Sequence, residues 1–106
     1  MASNFEALIL GTAVLSAASR EQLTAWLIAN KTGETRLRAG FPKDWRVGDK
    51  TGVGERGTTN DVAVVRAPNR RPIIIAVYLT GVSVSAAQQN ATVASIARAA
   101  SAITTD

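Results

Sequence analysis

Apolar positions along the chain change their period twice, and the changes divide it into helices, strands and a closing helix. Near the start, Phe5, Leu8 and Ile9 have helical spacing. Ser3 followed by Glu6 has the form of a capping box and Gly11 offers a stop, which predicts a short first helix. A second start at Ser19 and Gln22 is followed by Leu23, Trp26 and Leu27 on one face. That spacing predicts a helix over about 19–30, with Gly33 available in a left-handed conformation to end the run. From Thr35 to Asp44 periodicity disappears, and Gly40, Pro42 and Lys43-Asp44 predict a loop carrying Arg36 and Arg38.

Three strands come next. Trp45–Thr51 forms the first, Asp61–Arg66 with Val62, Val64 and Val65 the second, and Pro72–Thr80 the third. The run Ile73-Ile74-Ile75-Ala76-Val77-Tyr78-Leu79 is apolar at nearly every position, which predicts burial on both faces. Ala67-Pro68-Asn69-Arg70-Arg71 is short and rich in turn formers, so strands two and three should pair as an antiparallel hairpin. The closing segment 85–102 places Val93, Ile96, Ala97 and Ala100 at spacings of three and four, the pattern of a helix packed on a sheet. The expected fold class is therefore α/β (α+β): two helices, a three-stranded antiparallel sheet, and a terminal helix laid on that sheet. Trp26 and Trp45 are expected at the core or its edge.

Composition narrows the chemistry. The 106 residues are 46% hydrophobic and 19% charged, as in one globular unit. With no cysteine and no histidine there is no disulfide framework, thiolate nucleophile, Ser-His-Asp triad or conventional zinc site. No metal and no cofactor is expected, and any general base must be a carboxylate or a lysine. The net charge of +4 raises the question of nucleic acid. Arg20, Lys31, Lys43, Arg66 and Arg98 are scattered, only Arg70-Arg71 are adjacent, and stacking residues are few, which argues against it. The start Met-Ala-Ser-Asn-Phe-Glu has no basic and apolar targeting pattern, and no apolar run approaches the ~18 residues of a membrane span.

The chemistry-bearing stretch is Trp45-Arg46-Val47-Gly48-Asp49-Lys50-Thr51-Gly52-Val53-Gly54-Glu55-Arg56-Gly57, where Lys-Thr-Gly lies on a strand running into glycines. It resembles the substrate-binding strand of class A serine β-lactamases, whose other motifs are Ser-x-x-Lys and Ser-Asp-Asn. The likeness extends through Leu23-Thr24-Ala25-Trp26-Leu27, Thr35-Arg36-Leu37-Arg38-Ala39-Gly40, Thr58-Thr59-Asn60-Asp61 and Ile75-Ala76-Val77-Tyr78-Leu79. Neither Ser-x-x-Lys nor Ser-Asp-Asn occurs in these 106 residues, so the chain is expected to be the C-terminal segment of such an enzyme, a partial β-lactamase/transpeptidase-like fold.

The resemblance implies hydrolysis of the β-lactam amide bond. Lys50 would face the cleft and support both the catalytic serine and lysine region and the substrate carboxylate. Thr51 or its neighbour would hydrogen-bond that carboxylate, and the Val53 backbone N–H would be one of two oxyanion donors. Val53 stands where the family usually has a small or hydroxylated residue, so a side-chain hydroxyl contact is missing. Gly52 and Gly54 allow close approach of substrate, or form a bulge. Where some members carry an arginine this chain has Thr59, and Arg36 is the expected carboxylate-binding cation of the other group. Asp49, Asp61 and Glu55 read as surface, strand-end or ion-pair residues without a catalytic role, since the family's deacylating glutamate lies upstream. Asn90-Ala91-Thr92 is read as a chance sequon.

Three functions follow as expectations. The first is half of a β-lactamase that is inactive alone, with a β-lactam and the missing N-terminal segment as partners. The full-length protein would then be periplasmic or secreted, though this chain carries no signal. The second is a fragment of a D-Ala-D-Ala transpeptidase or carboxypeptidase. The third is a non-catalytic binding module working through an exposed sheet edge. An unpaired edge also makes the isolated chain prone to aggregation.

Overall fold

The computed structural model describes residues 1–103. Helix α1 (Ala2–Phe5) runs into a π turn (Glu6–Leu10), followed by α2 (Ala17–Ala29), α3 (Leu37–Gly40), β1 (Arg46–Gly54), β2 (Thr58–Arg66), β3 (Ile73–Leu79) and α4 (Ala86–Ile103). The strands form one antiparallel sheet in the order β1-β2-β3. The expected order of the principal helices and strands is present, and β2 and β3 pair as the expected antiparallel hairpin.

Alternation along β2 separates two cores, because successive side chains of a strand point to opposite faces. Val62 and Val64 face Phe5 and Ile9 and the α2 residue Leu27. Ala63 and Val65 face Leu37, Phe41, Val47, Val77, Val93 and Ala97, under α3 and α4. Each fully buried valine contributes roughly 1.5–3 kcal/mol of transfer free energy, so Val62, Val64 and Val65, within the five consecutive buried positions Asp61 to Val65, make β2 the spine of the fold. β3 has a strand neighbour on one side only among the described residues. Its positions are half-buried except Val77, and Tyr78 is 63% exposed, so the expected burial on both faces is not met.

Several local expectations are corrected. Ser3 lies inside the first turn, no side chain caps α1, and the Phe5 N–H donates to the Met1 carbonyl, so the capping box does not form. In α2 the cap is Ser16, whose hydroxyl accepts from the Ser19 N–H at 3.2 Å; Ser19 is already helical. Gly33 does not take the left-handed conformation, and the helix instead stops at Asn30, whose backbone leaves the helical region at φ −57° and ψ 134°. The loop 35–44 contains α3, pressed so closely onto α4 that a Cβ on Gly40 would sit 1.9 Å from the Ala94 carbonyl oxygen. Trp26 is 66% exposed because α2 turns Leu23 and Leu27, not Trp26, toward the sheet. Trp45 packs as expected, stacked on Phe41 with ring centroids 5.7 Å apart and the Arg70 guanidinium over its ring. The buried stripe of α4 is Gln89, Val93, Ala94 and Ala97, which leaves Ile96 exposed.

Candidate active site

β1 runs past the expected Thr51 to Gly54, and β2 begins at Thr58 instead of Asp61, because the ladder continues to a tight turn. Arg56 and Gly57 make that turn at φ 62° and 66°, and the Arg56 carbonyl is held by the Gly81 N–H. Pairing runs one for one from Arg46 opposite Arg66 to Gly54 opposite Thr58, so Gly52 and Gly54 do not form a bulge. The period of two therefore holds through Lys-Thr-Gly.

Cross-strand partners share a face. Lys50, opposite Val62, lies on the α2 side of the sheet, and Thr51, opposite Asp61, lies on the other. Lys50 is exposed and its Nζ donates to the Thr51 carbonyl at 2.7 Å. The Thr51 hydroxyl meets the Thr32 hydroxyl at 2.6 Å. The Val53 side chain is 75% exposed, opposite Thr59.

Arg36 is not a solvated loop residue: it is 8% exposed. Its Nε donates to Asn90 Oδ1 at 3.0 Å, and one terminal nitrogen donates to the carbonyls of Asn60 at 2.9 Å and Gly52 at 3.3 Å. The guanidinium is thus clamped against the β1–β2 hairpin directly beside Gly52. Thr59, at the position where an arginine was the alternative, is buried and donates to Gln89 Oε1. Sequence reasoning missed Asn90, which had been read as part of a chance sequon; a partner 54 positions away leaves no periodic signal.

Asp49 and Asp61 are not surface residues; they are 0% and 1% exposed. Asp49 Oδ1 accepts from Arg38 Nη2 at 2.8 Å and from Asn30 Nδ2 at 3.1 Å, so its ion-pair reading holds. Asp61 Oδ2 accepts from the Leu37 N–H at 3.1 Å. The other two oxygens, Asp49 Oδ2 and Asp61 Oδ1, are buried with no other partner among the described residues, so a proton on Asp61 is what would join the two carboxyls. Two adjacent buried carboxyls cannot both stay charged. Burial first, then the hydrogen bond to Asp49 and the charge on it, raises the Asp61 pKa from 3.8 to about 8, against the opposing Leu37 N–H and Arg36 charge. Gly33 closes this pair off: a Cβ there would lie 1.7 Å from Asp49 Oδ2. This close approach is the reason for glycine at that position.

The arrangement presents two cations, one on each face of the β1 end, around a strand where Gly52 carries no side chain and only that of Asn60 lies within 4 Å of where its Cβ would be. It offers donors to an anion, and among the described residues no serine is paired with a lysine or a carboxylate. Comparison with known proteins places the chain in a family. Residues 1–104 match the family model described as the β-lactamase enzyme family. The chain is similar to β-lactamase AST-1 of Nocardia asteroides, at 50% identity over 98 residues, and to β-lactamase FAR-1 of Nocardia farcinica, at 46% over 99. These alignments cover 92% and 93% of this chain but 31% of each relative, so the chain spans about a third of their length. Its structure matches that of the last common ancestor of Gram-negative bacteria class A β-lactamase with a TM-score of 0.94 and 60% identity, over 97% of this chain and 39% of that one. The chain belongs to the β-lactamase enzyme family, on its class A branch.

Proposed function

We propose that this chain is the C-terminal, substrate-anchoring segment of a serine hydrolase that opens the β-lactam amide bond. Lys50, Thr51 and Arg36 hold the substrate carboxylate, Gly52 lets the substrate lie along the strand, and the Val53 backbone N–H donates to the tetrahedral oxyanion. The nucleophile, its base and the deacylating carboxylate come from residues outside these 106. The observation that carries the reading is the clamped guanidinium of Arg36 beside Gly52, which supplies a fixed cation where Thr59 cannot. Pre-organised cations and donors act on charge that is bound or develops in the site, and need no reorganisation when it arrives.

The partner of this segment is the remainder of the same enzyme. One-sided β3 and the exposed Trp26, Tyr78 and Ile96 give it a surface to cover. No helix among the described residues is long and apolar enough to cross a membrane. The whole enzyme is assigned to the periplasm or the exterior, as its family resemblance implies.

The test joins this chain to the part of the ancestral class A enzyme that it does not match. The joined protein is expected to hydrolyse benzylpenicillin, and the chain alone to show no turnover. Hydrolysis by the chain alone, or none by a folded joined protein, would overturn the proposal.

The raised Asp61 pKa gives a second expectation for the joined protein. The folded state keeps a proton that the unfolded chain releases above about pH 4, so stability conferred below that point is lost as pH rises toward about 8. The slope approaches ~1.4 kcal/mol per pH unit for one proton. Urea midpoints should therefore fall from pH 5 to pH 8. Asp61→Asn, which keeps a donor for Asp49 and an acceptor for Leu37 without titrating, should flatten the fall; an unchanged slope would show that the pair does not share a proton.

A further inference from the structure

A chain of hydrogen bonds links the buried ion pair to the Thr51 hydroxyl, and each link fixes the proton direction of the next. Arg38 has only protons to give, so Asp49 Oδ1 is an acceptor. Asn30 must therefore turn its amide nitrogen to Asp49, at 3.1 Å, which points its Oδ1 the other way. That oxygen accepts from both the N–H and the hydroxyl of Thr32, at 3.2 and 2.9 Å. With its only hydroxyl proton committed, Thr32 can receive but not give, so in the 2.6 Å contact Thr51 is the donor.

We propose that Thr32 is a positioning residue that sets the direction of the Thr51 hydroxyl and reverses it when a carboxylate binds. At rest the order is Thr51 to Thr32 to Asn30, and the cleft sees only lone pairs of Thr51. An arriving carboxylate needs a donor, so the Thr51 proton swings to it and the Thr32 hydroxyl turns to donate into Thr51. Asn30 Oδ1 loses one donor but keeps the Thr32 N–H, so no acceptor is stranded. The new order, Thr32 to Thr51 to carboxylate, polarises the terminal donor and strengthens it. No covalent bond changes, only the rotation of two hydroxyls. A side chain that cannot donate at position 32 leaves Thr51 without this support.

This inference rests on the proposal that Thr51 receives the substrate carboxylate, and the experiment separates the two. In the joined enzyme, kinetics are measured with benzylpenicillin and with its methyl ester, which has no carboxylate to bind. Thr32→Val is expected to raise KM for benzylpenicillin about threefold to tenfold, the worth of one hydrogen bond, with kcat unchanged. The ester should show little change, and Thr32→Ser, which restores the hydroxyl, should return KM to near its starting value. Thr32 is exposed, so the variants should fold. If Thr51→Val raises KM and Thr32→Val does not, the relay is wrong and the carboxylate site stands. Equal losses on acid and ester would make Thr32 merely structural and overturn the relay. If Thr51→Val also leaves KM unchanged, both ideas fall.

Discussion

Replacing Lys50 by alanine in the joined enzyme is expected to lower kcat/KM for benzylpenicillin by about 100-fold or more, the loss typical of removing one pre-organised electrostatic contact. The size of the effect follows from the lack of a substitute. Arg36, the other cation at this end of β1, is tied to Asn90, Gly52 and Asn60 and is not free to move into the place of the Lys50 ammonium. Lys50 contributes little to the fold: it is exposed and its Nζ bonds only the neighbouring Thr51 carbonyl among the contacts described. Stability should therefore shift by less than about 0.5 kcal/mol, which allows a kinetic loss to be read as a loss of transition-state binding. Steady-state kinetics with a matched urea titration decide the matter. Hydrolysis within a few-fold of the unsubstituted enzyme would remove Lys50 from the site.

What could be read from the sequence was what is periodic and local. The Val62, Val64, Val65 pattern is held by alternation on a central strand, and the Val93 and Ala97 spacing by the helical repeat, so both elements were legible without a structure. Caps were misread because Ser16 and Ser19 are chemically equal candidates, and only the chain direction before α2 decides between them. The four-residue α3 was invisible since its packing rests on Gly40 meeting the Ala94 carbonyl of a helix far along the chain. The likeness to the family's motif singled out Lys50, Thr51 and Arg36 as candidates, but not what fixes them. Asn90 and Thr32 reach the site by folding and not by spacing, and an aspartate on a strand gives no sign that it will be buried against another.

That hidden layer makes Asp49 the position where substitution should do most damage to folding. Asp49→Ala would leave the Arg38 guanidinium, 27% exposed, with no carboxylate, although it keeps the carbonyls of Leu27 and Ile28. It would also release Asn30, whose amide ties the end of α2 to β1, and leave the Asp61 proton without its acceptor. Breaking a buried ion pair from one side costs about 3–5 kcal/mol, and a typical domain has only about 5–15 kcal/mol in all. The cavity under Gly33 adds to this, because the glycine was seated against the lost carboxylate. The joined Asp49→Ala enzyme is expected to lose at least about 3 kcal/mol by urea unfolding, or to accumulate as insoluble protein. Asp49→Asn keeps the volume and one acceptor oxygen for Arg38 and Asn30, and should lose less and remain soluble. If alanine costs under about 1 kcal/mol, the buried pair is not what holds the loop 30–38 to the sheet. If asparagine is as damaging as alanine, the charge of Asp49, and not the space it fills, governs the folding of this corner.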